Sequence, residues 1–344
     1  MTTVQVNGQA YELDGARTIS ELMVKLGAGQ VTMPTGLVGP GIAVAVNGRV
    51  VPRAQWERTP LGAGDDVRLV KAVAGGAPDR LDKDPKPLVI AGRSFDCRLF
   101  VGTGRFISPA VMRAALDASG TELVTVAIRT TGVDGSGPDA GILAALDLTR
   151  FGLLPNTAGA TSVREAVFMA ELAREALGTE WVKLEVIGDE RTLWPDVTGT
   201  VEATKLLVRE GFVVLPYTTT DLVTALRLED AGAATVMPLG SLIGSGQGVN
   251  DWNGIRRIVE RVSVPVVVDA GIGAPSDAAL AMEAGADACL INTAISRSDD
   301  PPTMARAMRH AVEAGRLGYL AGRMPRRDHA VPSSPPAGVV ALGR

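Results

Sequence analysis

The chain has 344 residues, enough for two domains or for one large barrel with an added module. Hydrophobic residues make up 46% and charged residues 21%, the balance of a globular protein with a real core, and a net charge of −4 gives no electrostatic reason to expect nucleic acid or an anionic membrane as partner. No apolar run reaches the roughly 18 residues that span a bilayer, and the start at Met1–Gly8 has neither a basic segment nor a long apolar one, so a cytoplasmic location is expected. Cys97 and Cys289 are the only cysteines and His310 and His329 the only histidines, which argues against a disulfide framework and against a metal site.

Residues 1–76 predict a small ubiquitin-like β-grasp. Val4–Tyr11 reads as a strand, an Asn7-Gly8 turn and a second strand, the strongest short-range hairpin signal. Thr18-Ile19-Ser20-Glu21 is a capping-box pattern, and Ile19, Leu22, Met23 and Leu26 then keep helical spacing up to a stop at Gly27. Ile42–Val51 repeats the strand, Asn-Gly, strand unit, and Val67–Val73 is a last strand, from which the chain runs out through Gly75 and Gly76. Residues 77–87 hold three prolines and alternating charges and read as a linker.

From residue 88 to residue 330, short apolar strands alternate with amphipathic or alanine-rich helices, the signature of parallel βαβ units. The expected strands are Arg98–Gly102, Leu123–Ile128, Gly152–Asn156, Trp181–Ile187, Val213–Tyr217, Thr235–Leu239, Pro265–Asp269 and Ala288–Asn292. Eight such units predict an α/β fold, a closed (β/α)8 TIM barrel with its chemistry at the C-terminal strand ends. A doubly wound open sheet is the alternative, but Gly102-Thr103-Gly104 matches its glycine fingerprint poorly. The tail, residues 331–344, is rich in Pro, Ser and Gly and predicts disorder.

The fourth strand carries the sharpest signal. Strand side chains alternate between faces, so Lys183 and Glu185 point one way while Val182, Leu184 and Val186 point the other. A buried charged pair is expensive, but desolvation lowers an amine's pKa and neutral amine attacks carbonyls. A structural ion pair filling the barrel satisfies the same pattern. Asp269 ends the seventh strand, where a carboxylate can act as a base or cap its own loop. Glycine-bearing loops follow strands six, seven and eight: Gly240–Gly246, Asp269–Gly273 and Asn292–Ala294. Barrels often bind phosphate there, although glycines also simply make tight turns. An amine and two carboxylates around one pocket predict imine formation followed by proton transfer.

These residues closely resemble the bacterial-type thiazole synthases of thiamine biosynthesis. The resemblance rests on Trp181–Asp189, Leu153–Gly159, Val236–Gly240, Val268–Gly273 and Asn292–Ile295, and runs from about Leu88 to Ala330. Val46-Asn47-Gly48, Val51-Pro52-Arg53 and the Gly75-Gly76 ending make the first module similar to the sulfur-carrier protein of the same pathway. The resemblance implies a carrier–synthase fusion and a transferase of a sulfur-containing group. It implies that 1-deoxy-D-xylulose 5-phosphate forms an imine with Lys183, that a carrier thiocarboxylate brings sulfur, and that dehydroglycine completes a thiazole phosphate carboxylate. Glu185 and Asp269 match its acid/base positions, and Gly244, Ala270, Gly271, Asn292 and Thr293 match its sugar-phosphate contacts. A carrier-activating enzyme is implied as a partner and a homo-oligomer is expected, while no metal, nucleotide or other cofactor is implied.

Two departures stand out. Gly76 runs straight into Ala77-Pro78, whereas a carrier needs a free terminal carboxylate, so cleavage after Gly76 is expected to precede sulfur transfer. A Gly- and Pro-rich insert also separates the predicted helix from the strand at Ile42. The rival reading is a class I aldolase-like Schiff-base barrel whose N-terminal domain is only an interaction module.

Overall fold

The computed structural model describes residues 2–26, 42–71, 87–127 and 145–333. The Gly27 stop, the insert before Ile42, the Gly75-Gly76 ending, most of the linker and the end of the tail lie outside the described residues. The chain divides into two compact units, Met1–Leu81 with Arg326–Arg344, and Asp82–Pro325.

The first unit is built from β1 (Thr3–Val6), β2 (Gln9–Glu12), α1 (Ile19–Lys25), β3 (Ile42–Val46), β4 (Arg49–Val51) and β5 (Asp66–Lys71). The sheet order is β2-β1-β5-β3-β4, with β1 and β5 parallel and the other neighbours antiparallel. Both Asn-Gly pairs take positive φ, Asn7 at 50° and Gly8 at 81°, Asn47 at 50° and Gly48 at 75°, the backbone that a type I′ hairpin turn demands. The predicted capping box is present: Thr18 accepts from the Glu21 amide and the Glu21 carboxylate accepts from the Thr18 amide. Ile19, Leu22 and Met23 then bury one face of α1 against Val4, Val44 and Val67.

The second unit opens with a hairpin that the sequence reading missed, β6 (Leu88–Ile90) and β7 (Arg93–Phe95). Eight parallel strands follow: β8 (Leu99–Gly102), β9 (Leu123–Ala127), β10 (Gly152–Asn156), β11 (Trp181–Leu184), β14 (Val213–Thr218), β15 (Met237–Pro238), β16 (Val267–Asp269) and β17 (Ala288–Ile291). A second hairpin, β12 (Ile187–Asp189) and β13 (Trp194–Pro195), rises between β11 and β14. The helices are α2 (Pro109–Ser119), α3 (Val163–Leu177), α4 (Val197–Arg209), α5 (Leu222–Asp230), α6 (Trp252–Val259), α7 (Pro275–Glu283), α8 (Thr293–Ser296) and α9 (Pro301–Ala321). The ladder runs β15-β14-β11-β10-β9-β8-β17-β16, and parallel bridges Val236–Val266 and Leu239–Asp269 join its two ends. The expected eight-stranded barrel is therefore the observed one, and the open-sheet alternative is set aside.

Among the described residues, six of the eight helices in this unit start where a short polar side chain caps them. Ser108, Ser162, Asp196, Asp221, Asp251 and Asp300 each accept from a backbone amide in the first turn. Alternate strand residues fill two different cores. Val182, Leu184 and Val214 pack outward with α3 and α4 residues such as Ala170 and Leu207. Phe100, Leu123, Leu154, Leu215 and Val267 point inward and meet Leu88, Ile90 and Phe95 of the early hairpin. Arg93 and the amides of Asp96 and Cys97 bond Glu122, just before β9, which seats that hairpin at the N-terminal end of the strands.

Candidate active site

The predicted fourth strand, Trp181–Ile187, splits in two. β11 ends at Leu184 because Thr157 takes over its hydrogen bonding: Thr157 Oγ1 donates to the Glu185 carbonyl and accepts from the Glu185 amide, both at 2.8 Å. This clamp keeps Glu185 in line with the strand, so the expected alternation survives beyond the regular ladder. Lys183, Glu185 and Asp269 are 6%, 5% and 3% exposed, three charged side chains nearly out of water. Lys183 Nζ lies 2.6 Å from Asp269 Oδ2 and 3.3 Å from Glu185 Oε1. The Tyr217 ring stands 5.9 Å from the same nitrogen.

Asp269 is free for this role because another aspartate caps its loop. Asp277 Oδ2 accepts from the Gly273 and Ala274 amides at 3.0 and 2.9 Å. The loop-capping reading of Asp269 is thereby corrected to Asp277. The expected low lysine pKa is corrected as well. Burial does push the Lys183 amine down, but the charges of Asp269 and then Glu185, with their hydrogen bonds, outweigh it and hold the group above its ordinary range. Lys183 is therefore held as an ammonium in contact with the Asp269 carboxylate. Burial, with the Asp269 and Glu185 charges behind it, raises the Tyr217 phenol and keeps it neutral.

A cavity of about 640 Å³ opens above this triad. Lys183, Glu185, Asp269, Gly244, Ala270, Gly271, Asn292 and Thr293, the eight barrel residues singled out in the sequence, all line it. The glycine loops close on one another there. A Cβ at Gly271, φ 77°, would lie 2.0 Å from Ser241 Oγ, and one at Gly273 would lie 2.5 Å from the Gly246 carbonyl oxygen. Close approach of the neighbouring loop therefore requires glycine at Gly271 and Gly273. Among the described residues the Gly244, Gly271 and Thr293 amides donate to no protein acceptor, and the buried Asn292 Oδ1 has no partner. Among the described residues no group of three His, Cys, Asp or Glu side chains could hold a metal ion.

Sequence reasoning missed Thr125, Asn156 and Arg297, which also line the cavity, and Tyr217, which adjoins it. Thr125 and Asn156 had a readable signal: each lies two positions past an inward leucine, Leu123 or Leu154, and so on the inward face of its strand.

Comparison with known proteins agrees with this arrangement. The family model "Thiazole biosynthesis protein ThiG" matches residues 89–335, and "ThiS family" matches residues 4–76. The chain belongs to the thiazole synthase family. It resembles the thiazole synthase of Methylobacterium sp. (strain 4-46), with 56% identity over 77% of this chain and 97% of that one. It resembles that of Rhodospirillum rubrum, with 50% identity over 84% and 99%. A solved complex titled BexX/CysO from Amycolatopsis orientalis superposes with a TM-score of 0.64 at 36% identity, covering 71% of this chain and 99% of that one. The barrel is thus a thiazole synthase of thiamine biosynthesis, a sulfur-group transferase, and the unit before it is a sulfur-carrier ThiS domain with a β-grasp fold.

Proposed function

We propose that this thiazole synthase condenses 1-deoxy-D-xylulose 5-phosphate, dehydroglycine and the sulfur of a carrier thiocarboxylate into a thiazole phosphate carboxylate through an imine on Lys183. The observation that carries the reading is the buried ammonium held 2.6 Å from Asp269 and 3.3 Å from Glu185 beneath an open cavity. Asp269 takes the ammonium proton, and the bared amine attacks the sugar ketone. Once water has left, the protonated imine acidifies the neighbouring C–H, and Glu185, on the same side of the cavity floor, moves that proton. A positioned acid or base of this kind is worth about 10²–10⁴ in rate. The free amides of Gly244, Gly271 and Thr293 suit the sugar phosphate, with Ala270 and Asn292 beside them.

Borohydride trapping followed by peptide mapping tests the imine. The adduct with deoxyxylulose phosphate is expected on Lys183, and an adduct on another lysine would overturn the assignment. Conversion of thiocarboxylate sulfur into product separates this reading from an aldolase-like one. The carrier domain is proposed to deliver sulfur only after cleavage behind Gly76, because an amide to Ala77 leaves no carboxyl to adenylate. A chain with Gly76→Pro and Ala77→Pro that resists processing should then support thiazole formation only when a separate carrier is supplied.

A further inference from the structure

We propose that Asn156 is a catalytic hydrogen-bond donor to the oxygen of the carbonyl that Lys183 attacks. The proposal rests on the reading that Lys183 forms an imine, and it assigns a task that the ammonium and its two carboxylates leave undone.

Asn156 and Lys183 are direct partners in the parallel β10–β11 ladder, so their side chains leave the sheet on the same side. Leu154, two residues earlier, packs in the barrel interior, which puts Asn156 on the inward face, and Asn156 lines the cavity. Its amide is oriented by its own loop. Oδ1 accepts from the Ala158 amide at 3.3 Å, so the acceptor end is tied down and the NH2 end is turned away from that contact. Among the described residues that NH2 group has no acceptor. Two N–H donors beside the nucleophile, on the inward face of β10, are ready for a ligand oxygen.

The charge balance says which oxygen. Lys183, Glu185 and Asp269 together carry one net negative charge, and an oxygen that gains negative charge during attack is repelled by it. Glu185 as a carboxylate only accepts, and Asp269 gains a single donor only when it takes the ammonium proton, which it then gives up to that oxygen. Tyr217, the inward phenol on β14, donates to the Leu193 carbonyl at 3.4 Å. Asn156 is neutral, so it steadies a developing oxyanion without a proton of its own changing hands.

The step balances as follows. The Lys183 ammonium passes a proton to Asp269. The nitrogen lone pair forms the C–N bond as the carbonyl π pair moves onto oxygen, which Asn156 holds. Asp269 returns the proton to that oxygen. The nitrogen gives a second proton to Glu185, which hands it to the hydroxyl as water leaves and the C=N bond forms. Ketone and ammonium become protonated imine and water, with no other reactant.

The test uses the full chain and the rate at which borohydride captures the Lys183 adduct at saturating deoxyxylulose phosphate. Asn156→Ala removes the donors and the tie to Ala158, while Asn156→Asp keeps an acceptor for Ala158 and removes the donors. Both variants are expected to trap about 10²–10³-fold more slowly than the wild type, the usual cost of one oxyanion donor. Wild-type trapping by Asn156→Asp, with loss only in Asn156→Ala, would mean that Asn156 merely anchors its loop and would overturn the proposal. Loss only in Asn156→Asp would mark an added charge and overturn it equally. In both cases the imine on Lys183 stands. A wild-type protein that traps nothing sinks the imine reading, and this assignment with it.

Discussion

The lower and upper halves of the barrel interior are built from the same strands, two residues apart. Below are Phe100, Leu123, Leu154, Leu215, Val267 and Leu290, closed off by Phe95 and its hairpin. One step up the inward face, the same strands and their ends present Gly102, Thr125, Asn156, Tyr217, Asp269 and Asn292. The period of two makes this separation possible: each strand supplies packing and cavity lining from one face, and Leu290 belongs to both. The apolar floor excludes water from beneath Lys183, and that exclusion strengthens the pairing of the ammonium with its carboxylates.

Substitutions in the two halves should therefore fail differently. The largest effect is expected from Lys183→Arg in the upper half. It keeps a cation between Asp269 and Glu185 but cannot form an imine, so thiazole formation and borohydride trapping should both vanish while the melting temperature changes little. Next, Glu185→Gln and Asp269→Asn should lower turnover by about 10²–10⁴ in single-turnover assays. Wild-type turnover in either would make that carboxylate structural.

In the lower half, Phe95→Ala empties a site packed edge-on against Phe100 and Trp181 at centroid distances of 5.5 and 6.0 Å. It should cost about 3–5 kcal/mol in denaturant unfolding while leaving the KM for the sugar phosphate near wild type. A KM that rises with the loss of stability would show that floor and site are coupled.

The smallest effect is a titration. Lys183 is raised in the folded state above its ordinary value of 10.5, so its stabilising contribution is complete below that pH and is lost as pH climbs through the higher folded value. Asp269→Asn removes the largest of the contributions that raise it and leaves burial to act. Labelling of Lys183 by an amine-reactive probe should then begin at lower pH than in the wild type.

Much of this was legible in the sequence because local chemistry repeats at fixed spacing. The Asn-Gly turns, the Thr18–Glu21 box and the alternating Lys183 and Glu185 each state their geometry within a few residues. The Leu88–Phe95 hairpin escaped because its turn, Ala91-Gly92, lacks the usual residue at the first positive φ: Ala91 adopts 46°. The true end of β11 was hidden because Thr157, the first residue after β10, sets it. The protonation of Lys183 was misjudged for a related reason. Desolvation can be read from an apolar strand, but the 2.6 Å approach of Asp269, 86 positions later in the chain, exists only after the barrel closes.

The backbone-to-backbone closure between Gly246 and Gly273 restricts what this rim can become. With 2.5 Å between a hypothetical Cβ and the opposing carbonyl oxygen, no larger side chain fits without parting the loops. Single-nucleotide changes that swap a residue here lead to loss rather than to a new preference. A lineage seeking a different substrate at this rim would have to lengthen or shorten a loop. Recruitment of this barrel to other substrates should therefore leave its record in insertions and deletions after strands six and seven, while Gly273 itself stays fixed.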